Sequence, residues 1–203
     1  MEKINYQKIC DEILENNIGK KVLLHSCCAP CSSYCIEYLS NYLEVTILYY
    51  NPNIEPIEEY NKRKEEQIRL INTIKTKYKV DYIDCDYDND IYKKTIEGLE
   101  NEQEGGSRCL KCYNLRLEKT CLLAKQLNYD YFCTTLTVSP YKNSMILNEI
   151  GKKLSLKYNI KYLYSDFKKK EGYKRSIILS KEYNLYRQDY CGCIYSKRSN
   201  VND

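Results

Sequence analysis

No segment of this 203-residue chain approaches the ~18 consecutive apolar residues of a membrane-spanning helix, so a helical span is excluded. Tryptophan is absent and histidine occurs once, at His25. A single histidine with no second activating element visible gives no protease-type His-Cys dyad. Glycine and proline are scarce, at seven and four residues, and no repeat, low-complexity linker or clear domain boundary is visible. The formal net charge is only +4. That falls short of the basic stripe of a dedicated duplex-binding domain, and it permits an RNA partner without demanding one. The opening segment, MEKINYQKICDEILENN, is too charged for a secretory leader, which predicts a cytoplasmic protein with no membrane partner.

What the chain does have is cysteine, twelve residues, and tyrosine, twenty-three. Most tyrosines read as packing residues with a wet hydroxyl. In a reducing setting the cysteines read as metal ligands and buried thiols rather than a disulfide framework. A hydrophobic content of 43% over this length suits one well-buried core, so residues 1–203 are expected to form a single domain.

Short apolar runs alternate with longer helical patterns. Val22–His25, Val45–Tyr50, Val80–Cys85, Tyr131–Leu136 and Ile160–Tyr164 read as strands, being brief and rich in β-branched or aromatic residues. Ile57–Tyr78, the stretch from Ser107 to Leu127, Met145–Tyr158 and Tyr173–Tyr183 read as helices. The alternation predicts an α/β fold: a Rossmann-like domain with a mainly parallel sheet flanked by helices. In such a sheet the reactive site lies beyond the carboxyl ends of the strands.

Seven cysteines fall in three clusters: Cys27, Cys28 and Cys31; Cys109 and Cys112; Cys191 and Cys193. The first cluster follows the first strand. Ser26 is placed as N-cap of the helix after it, with Pro30 in the opening turn, where free N–H groups and the positive helix end favour thiolate. Ser107 is expected to repeat the device before Cys109 and Cys112, which share a helix face. Gly105 and Gly106 let backbone approach whatever those sulfurs hold, and Gly192 lets its two neighbouring thiols reach adjacent atoms. A structural zinc site finishes with four ligands, whereas seven thiols suit an iron–sulfur site with something extra beside it. The other five, Cys10, Cys35, Cys85, Cys121 and Cys133, read as packing thiols. His25, beside the first cluster, reads as a proton donor or hydrogen-bond partner of the site, or as a strand-end packing residue.

Six blocks carry a resemblance: LLHSCCAPCS (23–32), YYNPNIEPIEEYNKR (49–63), EGGSRCLKCYNLRLEKT (104–120), TTLTVSPYKN (134–143), SDFKKKEGYKRS (165–176) and YRQDYCGCIYS (186–196). In this order they resemble the cobalamin-independent epoxyqueuosine reductases of the QueH family, over about residues 22–196. The resemblance implies the last step of queuosine biosynthesis, reduction of epoxyqueuosine at the tRNA wobble position to queuosine. It implies a [4Fe-4S] cluster and an additional mononuclear metal, expected to be iron, held by Cys27, Cys28, Cys31, Cys109, Cys112, Cys191 and Cys193. Some members resemble this chain except for an aspartate at the position of Cys31, and the division of the seven between cluster and ion stays open. An electron donor, unidentified, is also implied.

Epoxide removal to leave an alkene takes two electrons and two protons and releases water. The expectation is that the lone ion acts as a Lewis acid toward the epoxide, the cluster supplies electrons, and Asp189, Tyr190 or His25 supplies protons. The blocks suggest Arg108, Lys142, Lys168, Lys169, Lys170, Lys174, Arg175 and Arg187 as tRNA contacts. The run from Lys168 to Arg175, taken as sequence alone, reads as a solvated loop and helix start. Two rivals remain. An iron–sulfur-dependent tRNA sulfur transferase needs a glycine-rich phosphate loop after the first strand, where this chain has His25-Ser26-Cys27-Cys28-Ala29-Pro30. A zinc-stabilised interaction module predicts a colourless protein without acid-labile sulfide.

Overall fold

The computed structural model describes residues 4–197. Helix α1 (Tyr6–Glu15) precedes β1 (Lys21–His25), α2 (Ala29–Leu39), β2 (Glu44–Tyr49), α3 (Ile57–Thr73), β3 (Val80–Asp84) and α4 (Asn89–Thr95). Then follow α5 (Ser107–Gln126), β4 (Tyr131–Thr134) with a 3-10 turn (Thr135–Val138), α6 (Ser144–Tyr158), β5 (Lys161–Tyr162), α7 (Gly172–Glu182) and a last 3-10 turn (Ile194–Ser196). The five strands pair in the order β3-β2-β1-β4-β5, every pair parallel. Among the described residues, no helix is long and apolar enough to cross a membrane.

The inner strands are apolar on both faces because helices cover both. Val22 and Leu24 of β1 and Val45 and Ile47 of β2 pack into one core with Leu14, Ile36, Leu70 and Leu179. Leu23 and Phe132 turn the other way, against Leu117 and Ala124 of α5 and Leu147 and Leu154 of α6. Local chemistry starts α1 and α6: the Asn5 side chain accepts from the Lys8 N–H, and Asn143 from those of Met145 and Ile146. Gly151 brings α6 hard against β5; a Cβ there would stand 2.4 Å from the Tyr162 ring.

The fold class follows the sequence reading, and several boundaries differ. Helix α3 stops at Thr73, with Ile74 extended, instead of running to Tyr78; the Ile71-Asn72-Thr73-Ile74 run is poor in helix formers. The fourth strand ends at Thr134, whose hydroxyl accepts from the Leu136 N–H and starts the 3-10 turn. The fifth keeps only two residues in the sheet. Helix α4 is too short to have shown a period in the sequence.

The chain steps outward from β1 to β2 and β3, then crosses back to lay β4 on the other side of β1. The order therefore reverses between β1 and β4, and their carboxyl ends open a crevice. Cys27 stands just past one strand and Thr135 just past the other. The Cys27 N–H donates to the Thr135 hydroxyl across the gap, at 3.4 Å.

Candidate metal centre

Cys27, Cys28 and Cys31 place their thiols within 4.8 Å of one another, a geometry that can hold a metal ion. Extended backbone at Cys28 (φ −173°, ψ 160°) makes it the N-cap of α2. This corrects the expected cap at Ser26. The Ser26 hydroxyl instead donates to Gln67 Oε1 of α3 at 2.6 Å, an acceptor shared with Ser32 at 2.8 Å. Donation from the Cys28 and Cys31 thiols, helped by the Arg116 and Lys142 charges, holds the Cys27 thiol well below its usual range. Its partners move up in return, Cys28 to about 12 and Cys31 well above the ordinary thiol value.

The other four thiols line a second, smaller cavity. Cys109 and Cys112 stand on the first turns of α5, whose N-cap is Gly106, with Ser107 already helical; the expected Ser107 cap is likewise corrected. The Gly105 N–H donates to Cys109 Sγ at 3.2 Å. Buried Tyr92 of α4 puts its hydroxyl 3.0 Å from Cys193 Sγ. Cys191 lines both this cavity and a larger one of about 180 Å³ whose walls include Cys27, Cys31, Lys142, Arg187, Asp189 and Tyr190. The two thiol groups are neighbours joined at Cys191.

The Cys191–Cys193 segment is fastened from outside. Arg63 of α3, buried and paired with Glu59 at 2.6 Å, donates to the carbonyls of Cys191 (3.2 Å) and Tyr190 (3.4 Å). The Glu55 N–H donates to the Gly192 carbonyl at 2.9 Å. Gly192 has φ +108°, and a Cβ there would meet Ile54 Cγ1 at 2.8 Å and Arg63 Nη1 at 3.0 Å, so only glycine fits both backbone and space. Gly192→Ala is expected to lower stability by about 1–3 kcal/mol and to reduce metal bound per chain. Denaturant titration with metal analysis checks this, and a variant equal to wild type in both would refute it.

Behind the thiols lies a buried polar web. Arg116, 1% exposed, donates to Asn51 Oδ1 at 2.6 Å and from Nε toward His25 Nε2 at 3.2 Å, and it reaches Cys112 Sγ at 3.9 Å. His25 is wholly buried, between the Thr134 hydroxyl (3.0 Å) and the Tyr50 carbonyl (3.1 Å). Burial, then the Arg116 charge, drives its pKa down to about 3, so the ring is neutral near pH 7. His25 is not among the residues lining the large cavity, whereas Asp189 and Tyr190 are. The Tyr190 hydroxyl donates to the Glu55 carbonyl at 2.9 Å. Lys142 faces the thiols, and Cys191 above all keeps its ammonium charged.

Of the basic residues, Lys142 and Arg187 line the large cavity. Arg108 does not reach solvent: it is 2% exposed and donates to the carbonyls of Glu100, at 2.7 Å, and Glu102. Its expected RNA contact is corrected to a brace for the loop before Cys109, because a guanidinium sealed under carbonyls offers nothing to phosphate. Lys168 pairs with Asp166, Lys170 with Asp11, Lys174 with Glu171 and Arg175 with Glu37, none of them lining the cavity. Cys10, Cys35, Cys121 and Cys133 are buried, Cys85 is half-buried, and burial raises the pKa of all five.

Sequence reasoning missed Arg63, Arg116, Asn51, Tyr92 and Thr135. A signal existed for two of them. Arg116 is four residues after Cys112 and shares its helix face, and Arg63 interrupts the buried stripe Tyr60, Gln67, Leu70.

Fold and site together define a Rossmann-like α/β protein with a group of thiols able to hold a metal ion at the switch point of its sheet. The chain belongs to the epoxyqueuosine reductase QueH family, an oxidoreductase family, whose model matches residues 22–199. Similar proteins bearing the name epoxyqueuosine reductase QueH occur in Streptococcus pyogenes (40% identical, covering 97% of this chain and 80% of that one) and Staphylococcus epidermidis (43%, 96% and 85%). A more distant one from Thermotoga maritima is 34% identical over 86% of this chain and 89% of its own.

Proposed function

We propose that this protein reduces epoxyqueuosine at the tRNA wobble position to queuosine, using a [4Fe-4S] cluster and one adjacent iron. The observation that carries the reading is that six of the seven thiols line two cavities that share Cys191, with Cys28 packed against Cys27 and Cys31, at the sheet's switch point. The donor set fits: all-thiolate ligands suit iron–sulfur sites. Cys109, Cys112, Cys191 and Cys193, in the smaller cavity, are assigned to the cluster. Cys27, Cys28 and Cys31 are assigned to the ion, because Cys27 and Cys31 face the larger cavity and a reactive metal needs an open side. When bound, these groups supply the two electrons and a Lewis-acidic site.

The chain's own residues do the rest. Lys142 keeps a positive charge at the cavity wall, where it would stabilise negative charge developing on the leaving oxygen. Asp189 and Tyr190 are the proton donors on that wall, while His25, neutral and enclosed, orients the strand end behind Cys27. Arg187 and Lys142 at the cavity attract the anticodon-loop backbone, and Tyr141, 79% exposed at its rim, offers a face to an unstacked base. An external electron donor completes the cycle, and a reducing cytoplasm suits twelve free thiols.

The test is anaerobic purification, metal and sulfide analysis, and assay on epoxyqueuosine-bearing tRNA with a strong reductant. About five iron and four sulfide per chain, with queuosine formed, are expected. Zinc without sulfide points to an interaction module and ends the reading, as does fully loaded protein inert on that tRNA. Single-turnover assays of Asp189→Asn and Tyr190→Phe test the proton donors; full activity in both removes them.

A further inference from the structure

Helix α3 holds two thiol-bearing segments from one face. Gln67, 0% exposed, offers a single acceptor, Oε1, to two buried hydroxyls: Ser26 Oγ at 2.6 Å and Ser32 Oγ at 2.8 Å. Those serines bracket Cys27, Cys28 and Cys31, so one side chain ties down both ends of the first thiol segment. Gln67 Nε2 has no partner among the described residues, which leaves the oxygen as the working end.

Arg63 stands one turn earlier on the same face and donates to the carbonyls of Tyr190 and Cys191. It is steadied by Glu59, which also accepts from the Tyr186 hydroxyl at 3.1 Å. Both anchors are buried. Four residues of α-helix rise about 6 Å, so the two anchors keep a fixed step between them.

The segments they hold meet: Cys27, Cys31 and Cys191 line one cavity, and all three thiols bear on the Lys142 ammonium. More than a hundred residues separate Cys31 from Cys191 in the chain, so nothing local fixes how far apart their sulfurs lie. A working site has to be held to within about 0.5 Å.

We infer that Gln67 is a positioning residue: with Arg63 it makes α3 a ruler that sets the first thiol segment in register with Cys191, so that thiols of both segments ligate metal together. The inference rests on the two segments sharing one metal centre, and it is indifferent to how the thiols divide between cluster and ion.

The experiment titrates the metal-free full chain with cobalt(II), whose thiolate charge-transfer bands report the number and geometry of sulfur ligands. Gln67→Met, close in length and without an acceptor oxygen, is expected to bind cobalt about tenfold more weakly, the low end for loss of an outer partner of a metal site, and to alter the bands. Gln67→Glu keeps an acceptor for both hydroxyls and is expected to recover most of the affinity. Arg63→Lys, which loses the fork, is expected to cost a similar factor. Once one anchor is gone the spacing is already free, so the double variant should fall well short of the product of the single losses. Denaturant titration of the same metal-free proteins separates register from ordinary packing. Cobalt losses that multiply, or a coupling equally large in metal-free stability, overturn the inference, as does Gln67→Met with wild-type affinity and bands. Should Gln67→Met fail to fold, Ser26→Ala combined with Ser32→Ala, which removes the two donors, takes its place under the same criteria. Wild-type cobalt bands left unchanged by Cys191→Ser would remove the shared centre itself, a failure seen before any Gln67 variant is made.

Discussion

Cys112→Ser and Cys193→Ser are each expected to lose iron and sulfide and to lower turnover by more than about a hundredfold, since even outer partners of a metal site cost 10–100-fold. Both thiols are buried in the small cavity, one steadied by Arg116 and the other by Tyr92. A serine oxygen is harder and stays protonated where a thiolate is needed. Cys31→Asp is the informative contrast. Cys31 sits in the first turn of α2 beside the large cavity, where a carboxylate still offers a metal-binding oxygen, so iron and activity are expected to persist. Cys121→Ala tests the packing assignment: about 1–2 kcal/mol of stability is lost with the buried sulfur, with metal content unchanged. Metal and sulfide analysis beside turnover separates these outcomes. A Cys112→Ser protein with full iron and wild-type turnover would contradict the assignment.

Arg116→Leu is expected to cost about 3–5 kcal/mol, the range for breaking a buried charge network by removing one member, and to lower metal loading. The guanidinium has no water to fall back on. It satisfies the buried Asn51 carbonyl, touches His25, and brings positive charge to Cys112 and the depressed Cys27. Leucine fills part of the volume, but it strands the Asn51 oxygen and leaves the thiolates without a nearby cation. Arg116→Lys keeps the charge and loses the fork that serves three partners at once, so an intermediate stability is expected. Denaturant midpoints with iron content decide the matter, and Arg116→Leu matching wild type in both would show the web to be dispensable.

The three thiol clusters were legible because chemistry and spacing are written in the chain: Cys27 through Cys31 follow an apolar strand, and Cys109 and Cys112 share a helix turn. The core strands were legible for a similar reason, since β1 and β2 are buried on both faces and read as nearly continuous apolar runs. Ser26 and Ser107 were placed as caps on composition alone. The structure moves the caps to Cys28 and Gly106, because Ser26 finds a better partner in Gln67, forty-one positions away. Arg108 read as a phosphate contact because nothing local records that carbonyls of Glu100 and Glu102 enclose it.

By itself the sequence determined the alternation of strands and helices, the parallel α/β class and the three thiol clusters, since each rests on periodicity or spacing within a few residues. The tertiary structure alone decided that β4 returns beside β1, that Cys191 joins the two thiol groups, and which charges are buried. These depend on contacts between residues dozens of positions apart, whose meeting is settled by how the crossovers bury apolar surface on both faces of one sheet.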